Sequence, residues 1–253
     1  MSALANRLIA RCIALEVALL ATRARLAAAT DGEALHDLRI VVRRLRSLLR
    51  PLRGLPGVET LEAVTAEVGR LSSPLRDLEV LAAELERCGL QQPAARRRQA
   101  LARGYAALLD DIALARLEHC LRLWPGLLRE AEREGLLKGW RRKVHRRLCG
   151  QQRSLQRALA DPGHDRHRLR LLVKRVRYAA EAWPLQLSVP PEALKAAQSA
   201  LGDWHDCLQW CSRAADEADL QPCLANWQRE LAAAEVAADA ALLQLQEALA
   251  KAR

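Results

Sequence analysis

The sequence predicts an all-α protein, on three observations. Apolar residues recur at helical spacing along nearly all of the 253 residues. Leu, Ala and Arg dominate, whereas Phe is absent, Tyr occurs twice and aromatics make up 3%, so the residues that strands favour are scarce. The interruptions are short clusters of Gly, Pro, Ser, Thr and Asp, which is the chemistry of helix ends rather than of long loops. An apolar fraction of 51% is ample for a core and excludes a disordered basic tail.

Nine helices are expected, at 3–29, 33–52, 58–71, 74–88, 94–122, 137–160, 165–183, 191–218 and 222–250. The first ends at "TDG", 30–32, which offers a capping residue and a glycine. "PLRGLPG", 51–57, ends the second, and "WPG" at 124–126 and "DPGH" at 161–164 are read as further stops. "SVPP", 188–191, places prolines where the next helix can begin. The connections are short, so neighbouring helices should pack antiparallel in bundles.

The chain repeats itself. "LHDLRIVVRRLRSLLR", from Leu35 to Arg50, is echoed by "HRLRLLVKRVRY", from His167 to Tyr178. At an offset of 131 residues His36 falls on His167, Arg39 on Arg170, Val42 on Val173, Arg43 on Lys174, Arg44 on Arg175 and Arg46 on Arg177. A second pair follows: "SSPLRD", 72–77, matches "LGDWHD", 201–206, which brings Asp77 onto Asp206 at an offset of 129. Two matched signatures in the same order predict two related helical halves, 1–124 and 125–253, meeting near Pro125.

On a helical wheel with His36 at zero, Arg39, Arg43, Arg46 and Arg50 fall between about 280° and 340°. Leu38, Val41, Val42, Leu45, Leu48 and Leu49 fall between about 120° and 240°. The helix therefore has an aliphatic stripe and a separate, almost purely basic one. Arg44 lies off both. In the repeat His167, Arg170, Lys174 and Arg177 fill the same basic arc, with Glu181 where Arg50 stood. Like charges three and four apart repel by a few tenths of a kcal/mol per pair. A solvated surface stripe accounts for one such helix taken alone, but gives no reason for the same pattern in both halves. If the halves pack with two-fold pseudo-symmetry, the two basic faces can oppose each other across a groove. Each stripe is roughly 21 Å long with cations about one turn apart, which suits a chain of phosphates better than a single one.

The charge agrees. Forty Lys and Arg against 30 Asp and Glu leave a formal charge of +10, and Arg far outnumbers Lys. Polyanionic partners are implied, because the guanidinium fork matches phosphate oxygens. A GC-rich genome would also enrich Arg and Ala. Seven scattered cysteines argue against a disulfide framework and for a reducing compartment. Arg7, Arg11 and Glu16 interrupt any apolar core of a signal peptide, and no run reaches the roughly 18 apolar residues of a membrane span. A soluble cytoplasmic protein is expected.

The two H-x-L-R segments, the Arg-Tyr-x-x-Glu ending at Arg177, Tyr178 and Glu181, and "LKAAQSALGDWHD" at 194–206 together resemble the CHAD family, the conserved histidine α-helical domain. The resemblance implies two pseudo-symmetric antiparallel four-helix bundles with a basic groove or cavity between them. It also implies binding of inorganic polyphosphate there, with a link to polyphosphate granules in other members, and a free-standing member without a triphosphate-processing domain. The family's basic positions carry over to His36, Arg39, Arg43 and Arg46, and to His167, Arg170, Lys174 and Arg177. Arg76 matches the Arg of the family's Arg-Asp pair, where the second half has His205, a weaker and pH-dependent cation. Ser72 and Ser73 depart from the usual Leu-Gly, so the helix end there is expected to differ. Arg50 and Tyr178 complete the candidate polyphosphate ligands, and Arg44, Arg175, Arg103, Arg142, Arg146 and His205 form a second tier.

Other constellations point away from catalysis. His36 and His167 have no nucleophile or carboxylate cluster nearby in sequence, so donors to phosphate are favoured over general acids or bases. Asp77 and Asp206 each follow a basic residue and are read as starting a helix, so a salt bridge or cap is favoured over Mg²⁺. Glu181 is expected to pair with an arginine or a buried polar group. Cys207 and Cys211 have no second pair at zinc-site spacing, so two buried thiols are favoured over a metal site. Trp204 and Trp210 are read as core. Lys138 to Arg157 holds eight cations and no acid around a stripe of Trp140, Val144 and Leu148. The acidic stretch 214–253 is read as scaffold. No cofactor, metal or catalytic residue is expected. The competing readings are RNA or DNA binding, disfavoured because no aromatics interleave with the basic stripes, and an enzyme acting on phosphate chains, disfavoured for lack of metal-holding carboxylates.

Overall fold

The computed structural model describes residues 2–29, 31–184, 186–187 and 189–251. Thr30 and Ser188, which belong to the expected stops at 30–32 and 188–191, lie outside the described residues. Among the described residues there are nine α-helices, two short 3-10 turns and no strand. The helices are α1 (Ala3–Ala28), α2 (Ala34–Leu49), α3 (Val58–Arg87), α4 (Gln91–Asp110), α5 (Ile112–Arg133), α6 (Trp140–Leu159), α7 (Arg166–Ala182), α8 (Pro191–Asp216) and α9 (Gln221–Lys251). The all-α expectation holds. The chain divides into two compact units, Met1–Val144 and His145–Arg253; the junction expected near Pro125 lies inside α5.

In the first unit α1 packs on α2 and α5, α2 on α3, and α3 on α4 and α5. The aliphatic stripe of α2, Leu38, Val41, Val42, Leu45, Leu48 and Leu49, is buried throughout. Each such side chain contributes about 1.5–3 kcal/mol on burial. The stripe therefore decides which face of α2 turns inward, and the arginines are left on the other.

Three expected boundaries are wrong, each for a local reason. The helices expected at 58–71 and 74–88 are one, α3, which runs through Pro74. A mid-helix proline removes one hydrogen bond and costs about 3 kcal/mol. Buried Val64, Val68, Leu81 and Leu85 on either side of it outweigh that cost. The helix expected at 94–122 is two: Asp111 ends α4 in an extended conformation and caps α5, its carboxylate accepting from Ala113 N at 2.8 Å. The stop expected at "WPG" does not occur, and α5 continues to Arg133 with Trp124 and Pro125 buried. Pro125 has no N–H for the Leu121 carbonyl one turn back, and the Cys12 thiol of α1 donates to that carbonyl instead, at 3.6 Å. The indole of Trp124 donates to Pro56 O at 3.3 Å.

Two glycines set helix approaches. Gly57 precedes α3 in the left-handed region at φ 73°, where a Cβ would sit 3.0 Å from Leu127 of α5. A Cβ on Gly104 of α4 would meet Leu75 Cδ2 at 2.3 Å, so α4 lies close against α3 there.

In the second unit α7 packs on α8, and α8 on α9. Asp165 caps α7, accepting from His167 N at 2.8 Å. Leu169, Val173, Val176 and Ala179 form its buried side. Leu194, Ala197, Leu201, Trp204 and Cys207 recur at helical spacing on the buried side of α8. Trp210 is half-buried, 5.6 Å from the ring of Trp227 on α9.

Candidate functional site

The first unit gathers a basic cluster from two helices. α2 supplies His36, Arg39 and Arg43, all half-buried, and α3 supplies Arg76. Arg39 is set against α3. One guanidinium nitrogen, Nη1, donates to Ser72 Oγ at 3.2 Å and Ser73 Oγ at 2.9 Å. Both hydroxyls donate in turn to Gly69 O, at 3.3 and 2.8 Å. Arg39 is thus anchored through a relay onto α3. Burial pulls its guanidinium below the ordinary value, Asp77 opposes that, and Arg43 and Arg76 add to it. Burial, then Arg76 and Arg43, also hold the His36 imidazole below its ordinary value, against Glu33 and Asp37. Three cations and a histidine therefore share one electrostatic neighbourhood.

Acids tether part of this set. Arg76 Nη1 pairs with Glu79 Oε2 at 2.9 Å, and Glu79 also accepts the Tyr105 hydroxyl of α4. Burial and this bond raise the Tyr105 phenol well above its ordinary value. Arg50 lies 3.7 Å from Glu62, whose carboxylate also takes Arg53 Nε at 2.6 Å. Arg46 is half-buried, and its Nε is shut from solvent without a hydrogen-bond partner.

The second unit repeats the arrangement with different residues. α7 supplies His167, Arg170 and Lys174, and α8 supplies His205, the counterpart of Arg76. The imidazoles of His167 and His205 lie 5.6 Å apart, tilted by 48°. His167 is exposed, whereas His205 is half-buried with its Nδ1 shut from solvent and lacking a hydrogen-bond partner. Burial, then Arg170, His167 and Lys174, push the His205 imidazole down to about 4. The serine relay has no counterpart, because Leu201 and Gly202 stand where Ser72 and Ser73 do.

Sequence comparison places the chain: the CHAD domain family model matches residues 12–215. The chain belongs to the CHAD family. Among solved structures it is similar to the CHAD domain from the plant Ricinus communis, with a TM-score of 0.71 and 24% identity over 100% of this chain and 93% of that one. At that identity the likeness establishes a shared fold. No match is found among curated proteins.

Arg177 pairs with Glu181 at 3.2 Å, as expected for Glu181, and stacks over the Tyr178 ring at 5.3 Å. Tyr178 is buried, and its hydroxyl accepts from Gln198 Nε2 of α8 at 3.0 Å. Arg44, Arg175, Arg103, Arg142 and Arg146 are exposed. Asp77 and Asp206 lie in the middle of α3 and α8, so the helix-start reading of both is wrong: the segments before them are helix, not loop. The helix end expected to differ at Ser72 and Ser73 is likewise no end, and the serines instead hold Arg39. Cys207 is buried and Cys211 half-buried. Among the described residues no group of three or more His, Cys, Asp or Glu could hold a metal ion, and no helix is long and apolar enough to cross a membrane. Sequence reasoning missed Glu79 and Tyr105; the Arg76-to-Glu79 spacing of one helical turn is the signal that could have found the first.

Proposed function

We propose that this CHAD domain binds inorganic polyphosphate, with the quartet His36, Arg39, Arg43 and Arg76 engaging phosphates in one unit and His167, Arg170, Lys174 and His205 in the other. The observation that carries the reading is the recurrence of a helix-borne His-Arg-cation set, completed by a residue of a second helix, in both units. Guanidinium and ammonium groups spaced about one turn apart match successive anionic oxygens of a linear chain through charge-assisted hydrogen bonds. Membership of the CHAD family and the net charge of +10 support the same class of ligand. The role is binding rather than turnover, and it suits retention of the protein at polyphosphate granules in the cytoplasm.

The test is titration of long-chain polyphosphate at several salt concentrations. Saturable binding that weakens as salt rises is expected, because a polyanion releases counterions when cations replace them. Replacing Arg39, Arg43, Arg170 and Lys174 together by Ala should abolish it while circular dichroism keeps its helical signature. No saturable binding at low salt would overturn the proposal. Oligonucleotides that displace polyphosphate at equal phosphate concentration would favour a nucleic-acid ligand, and release of orthophosphate with Mg²⁺ or Mn²⁺ present would favour an enzyme.

A further inference from the structure

The two quartets differ at one position in a way that changes their chemistry. Arg76 carries a fixed charge, and Glu79 already pairs with it. His205, at the matching place in the second unit, carries a charge only when protonated. Its surroundings are one-sidedly basic. From α7 it faces His167, with the rings 5.6 Å apart, together with Arg170 and Lys174. On its own helix Trp204 lies beside it, ring centroids 6.2 Å apart, and Asp206 follows it in the chain. No acid of α9 is among the groups that act on the imidazole; Glu230 of α9 bears on Cys211, further along α8. Nδ1 of His205 is closed off from water with nothing to bond.

We infer that the second unit takes up a proton at His205 when it binds a phosphate chain, so that its affinity rises as the pH falls, whereas the Arg76 position of the first unit makes no such contribution. This rests on the polyphosphate reading above. In the free protein burial and three basic neighbours keep the imidazole neutral, down to about 4. A phosphate chain laid over Arg170 and Lys174 reverses the sign of the local field. The imidazolium then has an anionic partner, and its second N–H becomes a donor instead of an orphan. A group that binds a proton more tightly in the complex than in the free protein makes ligand binding proton-linked, and the linkage is reciprocal. His36, held below its ordinary value by burial, Arg76 and Arg43, can also take up a proton, so the share of His205 is read by difference.

Isothermal titration of the full chain with long-chain polyphosphate at about pH 6.5, in buffers of different ionisation enthalpy, reads proton uptake directly. The wild type should take up protons, and its affinity should rise at least about threefold from about pH 8 to about pH 6. H205R should bind with less proton uptake and a flatter pH profile, matching the fixed charge of the first unit. H205Q, which keeps the size but cannot be protonated, guards against misfolding of the arginine variant. It should also take up fewer protons, and should lose the gain at low pH. If both variants take up as many protons as the wild type, the inference is overturned while polyphosphate binding stands. If the wild type does not bind at either pH, both fall together.

Discussion

Arg39 Nη1 lies 2.9 Å from Ser73 Oγ, so a cation on α2 is held by a hydroxyl on α3 one residue before a mid-helix proline. The same hydroxyl is anchored to Gly69 O at 2.8 Å, which leaves it oriented toward the guanidinium. A hydrogen bond to a charged group is worth about 1.5–3 kcal/mol, and Ala recovers part of that by its better helix propensity. Ser73→Ala should therefore lower stability by about 1 kcal/mol in a denaturant titration. Because Arg39 then keeps only the longer bond to Ser72, at 3.2 Å, polyphosphate affinity should fall about threefold. An unchanged affinity would show that Arg39 reaches phosphate without the serine.

Glu79 is a counter-charge that a phosphate ligand at Arg76 would have to compete with. It holds Arg76 at 2.9 Å and also accepts the Tyr105 hydroxyl. Glu79→Gln keeps a carbonyl acceptor for the phenol but removes the negative charge beside Arg76. The affinity for polyphosphate should rise about threefold at low salt, and the gain should shrink as salt screens it. Lower affinity in Glu79→Gln would mean that the carboxylate positions Arg76 for the ligand rather than restraining it.

The helical class and the buried stripe of α2 were legible because each is a periodicity, and a period survives in a one-dimensional string. Leu38, Val41, Val42, Leu45, Leu48 and Leu49 are buried as a set for that reason. The breaks were read less well, because proline marks a missing donor and not an end. At Pro125 the orphaned carbonyl of Leu121 is satisfied by Cys12, more than a hundred residues away, and nothing local announces it. The break at Asp111 did have a local sign, since "DD" follows an apolar run and precedes another, and aspartate favours the cap over the helix interior. In the site, arginines on one helix could be placed on an arc, and Glu79 lies one turn from Arg76, but Glu62 comes into range of Arg50 only through folding. The histidine at 205 was visible as a departure from Arg76; its buried Nδ1 was not.

Cys12 serves the fold. Its thiol donates to the carbonyl left by Pro125, and burial with the nearby Glu16 charge pushes it up to about 12. The thiol should thus stay unmodified by a disulfide reagent at about pH 8 in the native protein and react once denaturant unfolds α1. Cys12→Ala removes the donor and leaves a buried carbonyl unsatisfied, a loss of about 1–3 kcal/mol. Rapid native labelling of Cys12, followed by peptide mapping, would contradict this account of α5 continuing past its proline.

The two arcs should add in the salt dependence of binding. Removing one cation that neutralises a phosphate reduces the slope of log affinity against log salt by about 0.7–0.9. Arg39→Ala with Arg43→Ala, and Arg170→Ala with Lys174→Ala, should each lower the slope by about 1.5, an equal share from either unit. A single pair that carries the whole slope would restrict the ligand to one unit.

Acid should destabilise the protein through the same imidazoles. His205 titrates near its ordinary value of 6.5 in the unfolded chain and at about 4 in the folded one. Between these values the unfolded chain binds a proton that the folded chain refuses, so stability falls as pH drops through 6.5 and the loss is complete below about 4. His36, also held below its ordinary value by burial and by Arg76 and Arg43, acts in the same direction. Urea midpoints should therefore fall from about pH 7 to about pH 5, and less steeply in His205→Gln, which has no proton to take up. Saturating polyphosphate should recover part of the fall in the wild type and less of it in His205→Gln, because the bound anion makes the folded state accept the proton it otherwise excludes. Equal acid sensitivity of wild type and variant would move the burden from His205 to the carboxylates, which lose their ion pairs over the lower part of the same range.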